Sequence, residues 1–150
     1  MQNSSPEGRF MVAVGAIVEN VETGKILILK RTEKADFACG AWEYILGRMK
    51  NFEDPREALK REVNEEAGIE IEVVKPISVF HIFRGEKTAD KEVVGITFWC
   101  KTKSEKVTIS REHTDFKWVA PLEALKFIKY SGIEKDIELF INEKKQQVII

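Results

Sequence analysis

Short β-rich runs alternate along the chain with stretches of helical spacing. Residues 10–18 and 25–29 are apolar, and the polar segment 20–24 between them reads as a turn, so the pair predicts a hairpin. Residues 32–40 read as loop and 42–46 as another brief strand. Val, Ile and Phe dominate 69–83 and 92–101 on either side of the polar turn 84–91, which predicts a second hairpin. A short strand at 115–119 follows, then a short helix over 121–128. An amphipathic helix over 133–145 carries Ile133, Ile137, Phe140 and Ile141 on one face. Helices interleaved with a sheet predict an α/β layered domain.

The most clearly marked element is a helix entered from the loop 47–52. Asp54 can cap it, Pro55 suits the first helical position, where no N–H bond is required, and Glu57 completes an Asp-x-x-Glu capping box. Gly68 can take the left-handed conformation that ends a helix, with Ile69 as the apolar contact beyond it. Glu62, Glu65 and Glu66 fall within about 100° of arc at 3.6 residues per turn. Leu59, Val63 and Ala67 occupy the neighbouring arc, so the helix can bury one stripe against a sheet and present carboxylates at the edge of that contact. Such carboxylates lie roughly 5–6 Å apart at Cβ, and each pair would repel by about 3 kcal/mol at an effective dielectric of about 20. Hard divalent cations offset this, because Mg²⁺ or Mn²⁺ prefers carboxylate oxygen. Arg61, one turn before Glu65, can hold a carboxylate in place. The plainer alternative, a solvated acidic face paired with Lys50, Lys60 and Arg61, would not need the Gly47 loop, the caps and the terminating glycine around it.

Composition narrows the setting. With 150 residues and 43% hydrophobic content, the chain fits one domain with a real core. We expect a tail over 1–8 and a single domain over 9–150. The 24 Lys and Arg nearly balance the 25 Asp and Glu, so no global field favours a nucleic acid polymer or a membrane, and any partner is recognised locally. Cys39 and Cys100 fit no zinc spacing and are expected to be inert or buried thiols. No run approaches the roughly 18 apolar residues that span a bilayer, and the expected setting is cytoplasmic. The apolar ending 148–150 is expected to dock onto the body or a partner, as monomer or homodimer.

Residues 47–69 read Gly47-x5-Glu53-x7-Arg61-Glu62-Val63-x-Glu65-Glu66-x-Gly68-Ile69, and every named position matches the signature of the Nudix box. The chain resembles the Nudix superfamily over most of its length. Val12-Ala13-Val14-Gly15, Arg31 and Trp42-Glu43-Tyr44 are similar to the MutT-like branch. The resemblance implies an α/β/α sandwich around a mixed sheet. It further implies Glu62, Glu65 and Glu66 as ligands of Mg²⁺, or of Mn²⁺ in its place, with Glu53 supporting the site from the loop and Arg61 orienting the acids. Leu46 and Gly47 are expected at the metal through the backbone, and Arg31, Glu43, Tyr44 and Arg48 at the substrate. Glu62, Glu65, Arg61 and Glu112 are the expected catalytic set. Cation-assisted attack of water on phosphorus would cleave a pyrophosphate bond in a nucleoside diphosphate linked to another group. A nucleoside triphosphate yielding monophosphate and pyrophosphate is the leading substrate.

Glu112 precedes Trp118 at a distance similar to that of a downstream glutamate serving some relatives as metal ligand or general base; it also fits an ordinary polar turn. His81 and His113 lack metal spacing and are expected in structural or solvent roles. Trp42, Tyr44, Phe80 and Phe83 are candidates to stack on a base, although strand aromatics more often belong to the core. The chain departs from the family's common Pro-Gly-Gly entrance, carrying Ile45-Leu46-Gly47, and has Lys50 where an acid is frequent. No counterpart of the branch's purine-reading Asp-Asn pair follows Trp118, where the first asparagine is Asn142. Two alternatives stay open: a nucleotide-binding regulatory module without turnover, and a hydrolase of ADP-ribose or nucleotide-sugar substrates.

Overall fold

The computed structural model describes residues 7–129 and 132–148. The tail expected at 1–8 therefore lies outside the described residues up to residue 6, as does the apolar ending at 149–150.

A mixed sheet organises the molecule. Its strands are β1 (Met11–Asn20), β2 (Ile26–Arg31), β3 (Trp42–Glu43), β4 (Ile45–Arg48), β5 (Glu72–Phe83), β6 (Glu92–Thr102) and β7 (His113–Val119). The order runs β3-β2-β1-β6-β5, with β4 also paired to β1 and β7 to β2. Strand β1 is buried from Ala13 to Asn20 and lies parallel to β6 along its whole length, from Met11 opposite Val93 to Asn20 opposite Thr102. The helices are α1 (Pro55–Ala67), α2 (Pro121–Phe127) and α3 (Ile133–Val148).

Strict alternation along the strands sorts the core into two layers, because successive side chains point to opposite faces. Val14, Ala16, Val18, Leu27, Leu29, Ile45, Phe98 and Cys100 pack with Ala58, Leu59, Val63 and Ala67 of α1. Ile17, Ile26, Ile28, Tyr44 and Trp99 pack with Ala124 of α2 and Ile137 and Phe140 of α3. This is the expected α/β/α sandwich. Leu59 and Val63 are fully buried, which stabilises the docking of α1 by about 2 kcal/mol each.

The structure adds detail to the local expectations. The hairpin of β1 and β2 meets in register only at Glu19 and Ile26. Beyond this antiparallel contact β2 also pairs with β7, from Ile26 opposite Val119 to Arg31 opposite His113, because the turn joins only the strand ends and the distant partner buries the rest. The single strand expected at 42–46 is two strands, β3 paired to β2 and β4 paired to β1, joined at Tyr44. The second hairpin forms as expected between β5 and β6. At the start of α1, Asp54 Oδ1 accepts from the Arg56 N–H at 2.8 Å, while the reciprocal bond from Glu57 is not made among the described residues. Of the two thiols, Cys100 is buried and Cys39 is exposed. Among the described residues no helix is long and apolar enough to cross a membrane.

Candidate active site

Helix α1 delivers its acids to the wall of a cleft of about 1170 Å³. The helix is held at both ends: Asp54 caps the entrance, and Gly68, with φ 67°, closes the exit through its N–H to the Asn64 carbonyl. Between these caps Glu62, Glu65 and Glu66 line the cleft together with Arg61 and Glu53. Their environments differ sharply. Glu65 is exposed, the Glu62 side chain is 12% exposed, and Glu66 is buried at 4%.

Arg61 organises the exposed side of this group. Its Nε and Nη2 donate to the two carboxylate oxygens of Glu53 at 2.7 and 2.8 Å, a planar fork matched to a carboxylate. Nη1 donates to Glu62 at 2.8 Å and Glu65 at 3.2 Å, and Nη2 also reaches the Arg48 carbonyl at 3.1 Å. The Arg61 bonds, with a further one from the Lys50 N–H, lower the Glu53 pKa to about 2. Glu53 thus serves Arg61 and the loop, a finer role than the metal support expected of it. Gly47 explains itself here: a Cβ would stand 2.0 Å from the Glu62 carboxyl carbon, so only glycine lets that carboxylate lie against the strand end.

Glu66 is the exception. Its Oε2 is buried without a hydrogen-bond partner among the described residues. Burial first, then the nearby charges of Glu43, Glu62 and Glu112, push its pKa well above the usual carboxylate value. Glu62 is raised also, by burial ahead of any other cause. A buried acid facing other acids is costly unless something positive joins it, and the donors are hard oxygens suited to Mg²⁺ or Mn²⁺. In that sense the residues fit a divalent cation. Among the described residues, however, no three acidic, His or Cys side chains stand together as a ligand set, because Glu62 and Glu65 are turned onto Arg61.

The opposite wall comes from the sheet. Arg31 donates from Nε to the Phe37 carbonyl at 2.9 Å and from Nη1 to Glu43 Oε1 at 3.3 Å. Glu43, 1% exposed, also meets His113 Nε2 at 2.9 Å. His113 is buried, its Nδ1 has no partner among the described residues, and it adjoins Glu112 at the cleft. A register shift between Lys30 and Arg31 and the bond from the Thr32 N–H to the Glu112 carbonyl, 3.0 Å, carry Glu112 to this rim. The structural role expected of His113 thus takes a definite form beneath Glu43, legible beforehand only as a histidine beside a candidate acid.

Arg31, Glu43, Leu46, Gly47, Arg48 and Glu112 all line the cleft. Tyr44 does not, and its placement corrects the substrate-binding expectation. It is fully buried in the layer facing α3, where its hydroxyl donates to Asp136 at 2.6 Å and meets the Thr97 hydroxyl at 3.1 Å. Odd and even residues part at the sheet, so Glu43 at the cleft sends its neighbour to the far face. Trp42 likewise packs edge-on against Phe127 of α2, ring centroids 5.5 Å apart. Of the aromatic candidates Phe80 lines the cleft, joined by Phe10, Phe37 and Phe52, which no periodicity singles out because they lie in loops or at a strand edge.

Comparison with known proteins agrees with this architecture. The NUDIX domain profile matches residues 9–138. The CTP pyrophosphohydrolase of Escherichia coli (strain K12) is 29% identical over 119 residues, covering 79% of this chain and 82% of that protein. Nucleoside triphosphatase NudI of Enterobacter sp. (strain 638) is 31% identical over 110 residues, covering 69% and 77%. The crystal structure of the MutT protein from Methanosarcina mazei Go1 superposes with a TM-score of 0.77 at 26% identity, covering 94% of this chain and 99% of that one. Box, sandwich, cleft and profile together place the chain in the NUDIX family, as a MutT-like Nudix pyrophosphohydrolase.

Proposed function

We propose that the protein hydrolyses a nucleoside triphosphate to the monophosphate and pyrophosphate, with a divalent cation, Mg²⁺ or in its place Mn²⁺, at the acids of α1. The observation that carries this reading is the buried, unpartnered Oε2 of Glu66 on the cleft wall, opposite Glu43 and beside the Glu62 that Gly47 admits. Similarity to a CTP pyrophosphohydrolase and a nucleoside triphosphatase supports the substrate class.

Glu62, Glu65 and Glu66 would hold the cation, which when bound neutralises phosphate charge and makes water more acidic. The chain's own groups do the rest. Arg61 gathers Glu62 and Glu65 while Glu53 fixes Arg61, and these two carboxylates would turn from the guanidinium to hold the cation. Arg31, Lys34, Arg48 and Arg84 line the same cleft and offer cationic contacts to the phosphates. The Glu112 carboxylate has no hydrogen-bond partner among the described residues, and it takes the proton of the attacking water. Water oxygen bonds to phosphorus, the anhydride P–O bond breaks, and its electron pair leaves with pyrophosphate.

A panel of nucleoside triphosphates, ADP-ribose and nucleotide sugars with Mg²⁺, followed by phosphate and pyrophosphate release, tests the reading. Triphosphates should turn over, and Glu66→Gln should lose about 100-fold or more in kcat while keeping its Tm, since the substitution removes a buried charge. Undiminished turnover in both Glu65→Gln and Glu66→Gln would reject it. Thermal stabilisation by nucleotide without product on any substrate would instead identify a binding module.

A further inference from the structure

Phe52 is the most exposed large apolar residue described, at 106% of its reference area, and it lies on the lining of the cleft. Its backbone is equally unusual. The Glu53 N–H donates to the Lys50 carbonyl at 3.2 Å, closing a four-residue turn, and Phe52 occupies the third position with φ 72°. That position calls for glycine or asparagine, and a bulky residue there is strained. Asn51, which tolerates the conformation better, is one residue away. The turn is also locked from outside, since the Glu53 carboxylate accepts from the Lys50 N–H at 2.7 Å and is held by the Arg61 fork. A strained residue persists where its surroundings over-determine it, and an aromatic ring fully in water contributes no packing that would offset the strain.

We infer that the Phe52 ring is a substrate contact, a rigid platform at the cleft mouth on which the planar base of the nucleotide stacks. The inference rests on the proposed function and adds a specificity-determining residue to it. Three neighbouring features fit this occupant. Glu53, adjacent to Phe52 in the chain, is held by the same Arg61 that holds Glu62 and Glu65, so Phe52 shares its loop and its cleft with the acids proposed to meet the phosphates. Arg48 and Lys50 present exposed cations on the same lining, suited to the anionic part of the same molecule. Phe10, 47% exposed, adds a second aromatic surface to it. Stacking on an aromatic face tolerates any base, so this contact favours nucleotides over inorganic polyphosphates without selecting among the bases.

Phe52→Gly separates the two roles by sign. Relief of the positive φ should hold or raise Tm, by about 2 °C, whereas loss of the platform should raise KM for nucleoside triphosphates on the order of tenfold with kcat within about twofold. Inhibition by inorganic tripolyphosphate, which has no base, should be unchanged, and Phe52→Tyr should restore KM. A lowered Tm in Phe52→Gly, an unchanged nucleotide KM, or equal weakening of nucleotide and tripolyphosphate would each overturn the inference. Should the wild type turn over no nucleotide, the proposed hydrolysis alone would fall, and calorimetric nucleotide affinity would decide the stack: equal Kd in wild type and Phe52→Gly rejects it.

Discussion

The two walls of the cleft are built by different means. The helical wall, from Gly47 to Ile69, is assembled by local rules: an Asp54 cap, Pro55 at the first position, acids spaced for one face and a left-handed Gly68 at the end. The sheet wall unites Arg31, Glu43 and His113 from three strands through two pairings and a register shift. Arg61 ties the first wall by a fork to an acid 8 residues away, whereas His113 reaches Glu43 across 70 residues. The first wall is set by helical geometry. The second exists only after β2 has found β7, and it carries buried polar groups whose cost must be met by one another.

That contrast can be broken by substitution, with the largest effect expected on the helical wall. Gly47→Ala places a methyl within 2.0 Å of the Glu62 carboxyl carbon, so either the carboxylate or the strand must move. Turnover should fall about 100-fold, a misplacement of about 1 Å at a site being costly on that scale, while stability should fall by less than about 1 kcal/mol, because the methyl meets only the flexible end of the Glu62 side chain. Steady-state kinetics and denaturant unfolding read the two. Normal kcat in a folded Gly47→Ala protein would mean that Glu62 need not lie against the strand.

A smaller effect should follow on the sheet wall. His113→Ala removes the Nε2 bond to Glu43 and opens a cavity beside a buried acid, which should destabilise by about 2–3 kcal/mol. Activity should fall about tenfold as Glu43 and the Glu112 rim lose their support, with His113→Gln recovering part of it through a replacement donor. An activity loss larger than that of Gly47→Ala would reverse the ranking of the two walls.

The smallest effect on catalysis is expected beyond both walls. Tyr44→Phe deletes the hydroxyl bonded to Asp136 and Thr97 on the far layer. It should cost about 1–2 kcal/mol of stability with KM and kcat within about twofold. A marked rise in KM without loss of stability would restore Tyr44 to the substrate site.

How much of this was legible beforehand follows from the same division. The helix, its caps, its buried stripe of Leu59, Val63 and Ala67, and the second hairpin were readable because their determinants lie within a few turns or across one short loop. The first hairpin forms at its turn, with β1 antiparallel to β2, but apolar runs flanking a turn say nothing about a parallel partner some eighty residues on, and β1 pairs along its length with β6. Tyr44 misled for a related reason. It directly follows Glu43, and no motif states which parity faces the cleft until the sheet is covered by α1 on one side and α3 on the other. Phe52 sat among the unconstrained positions of the box, where spacing carries no signal and only the backbone angle does.

The sequence alone determined the acidic helix, its orientation cues and the family to which the cleft belongs, since spacing along one helix converts directly into direction in space. Tertiary structure decided which acid is buried without a partner, which strand residues face it and which aromatic rings share the cleft. Burial, charge environment and strand parity are properties of segments far apart in the chain, and they acquire values only when the layers close.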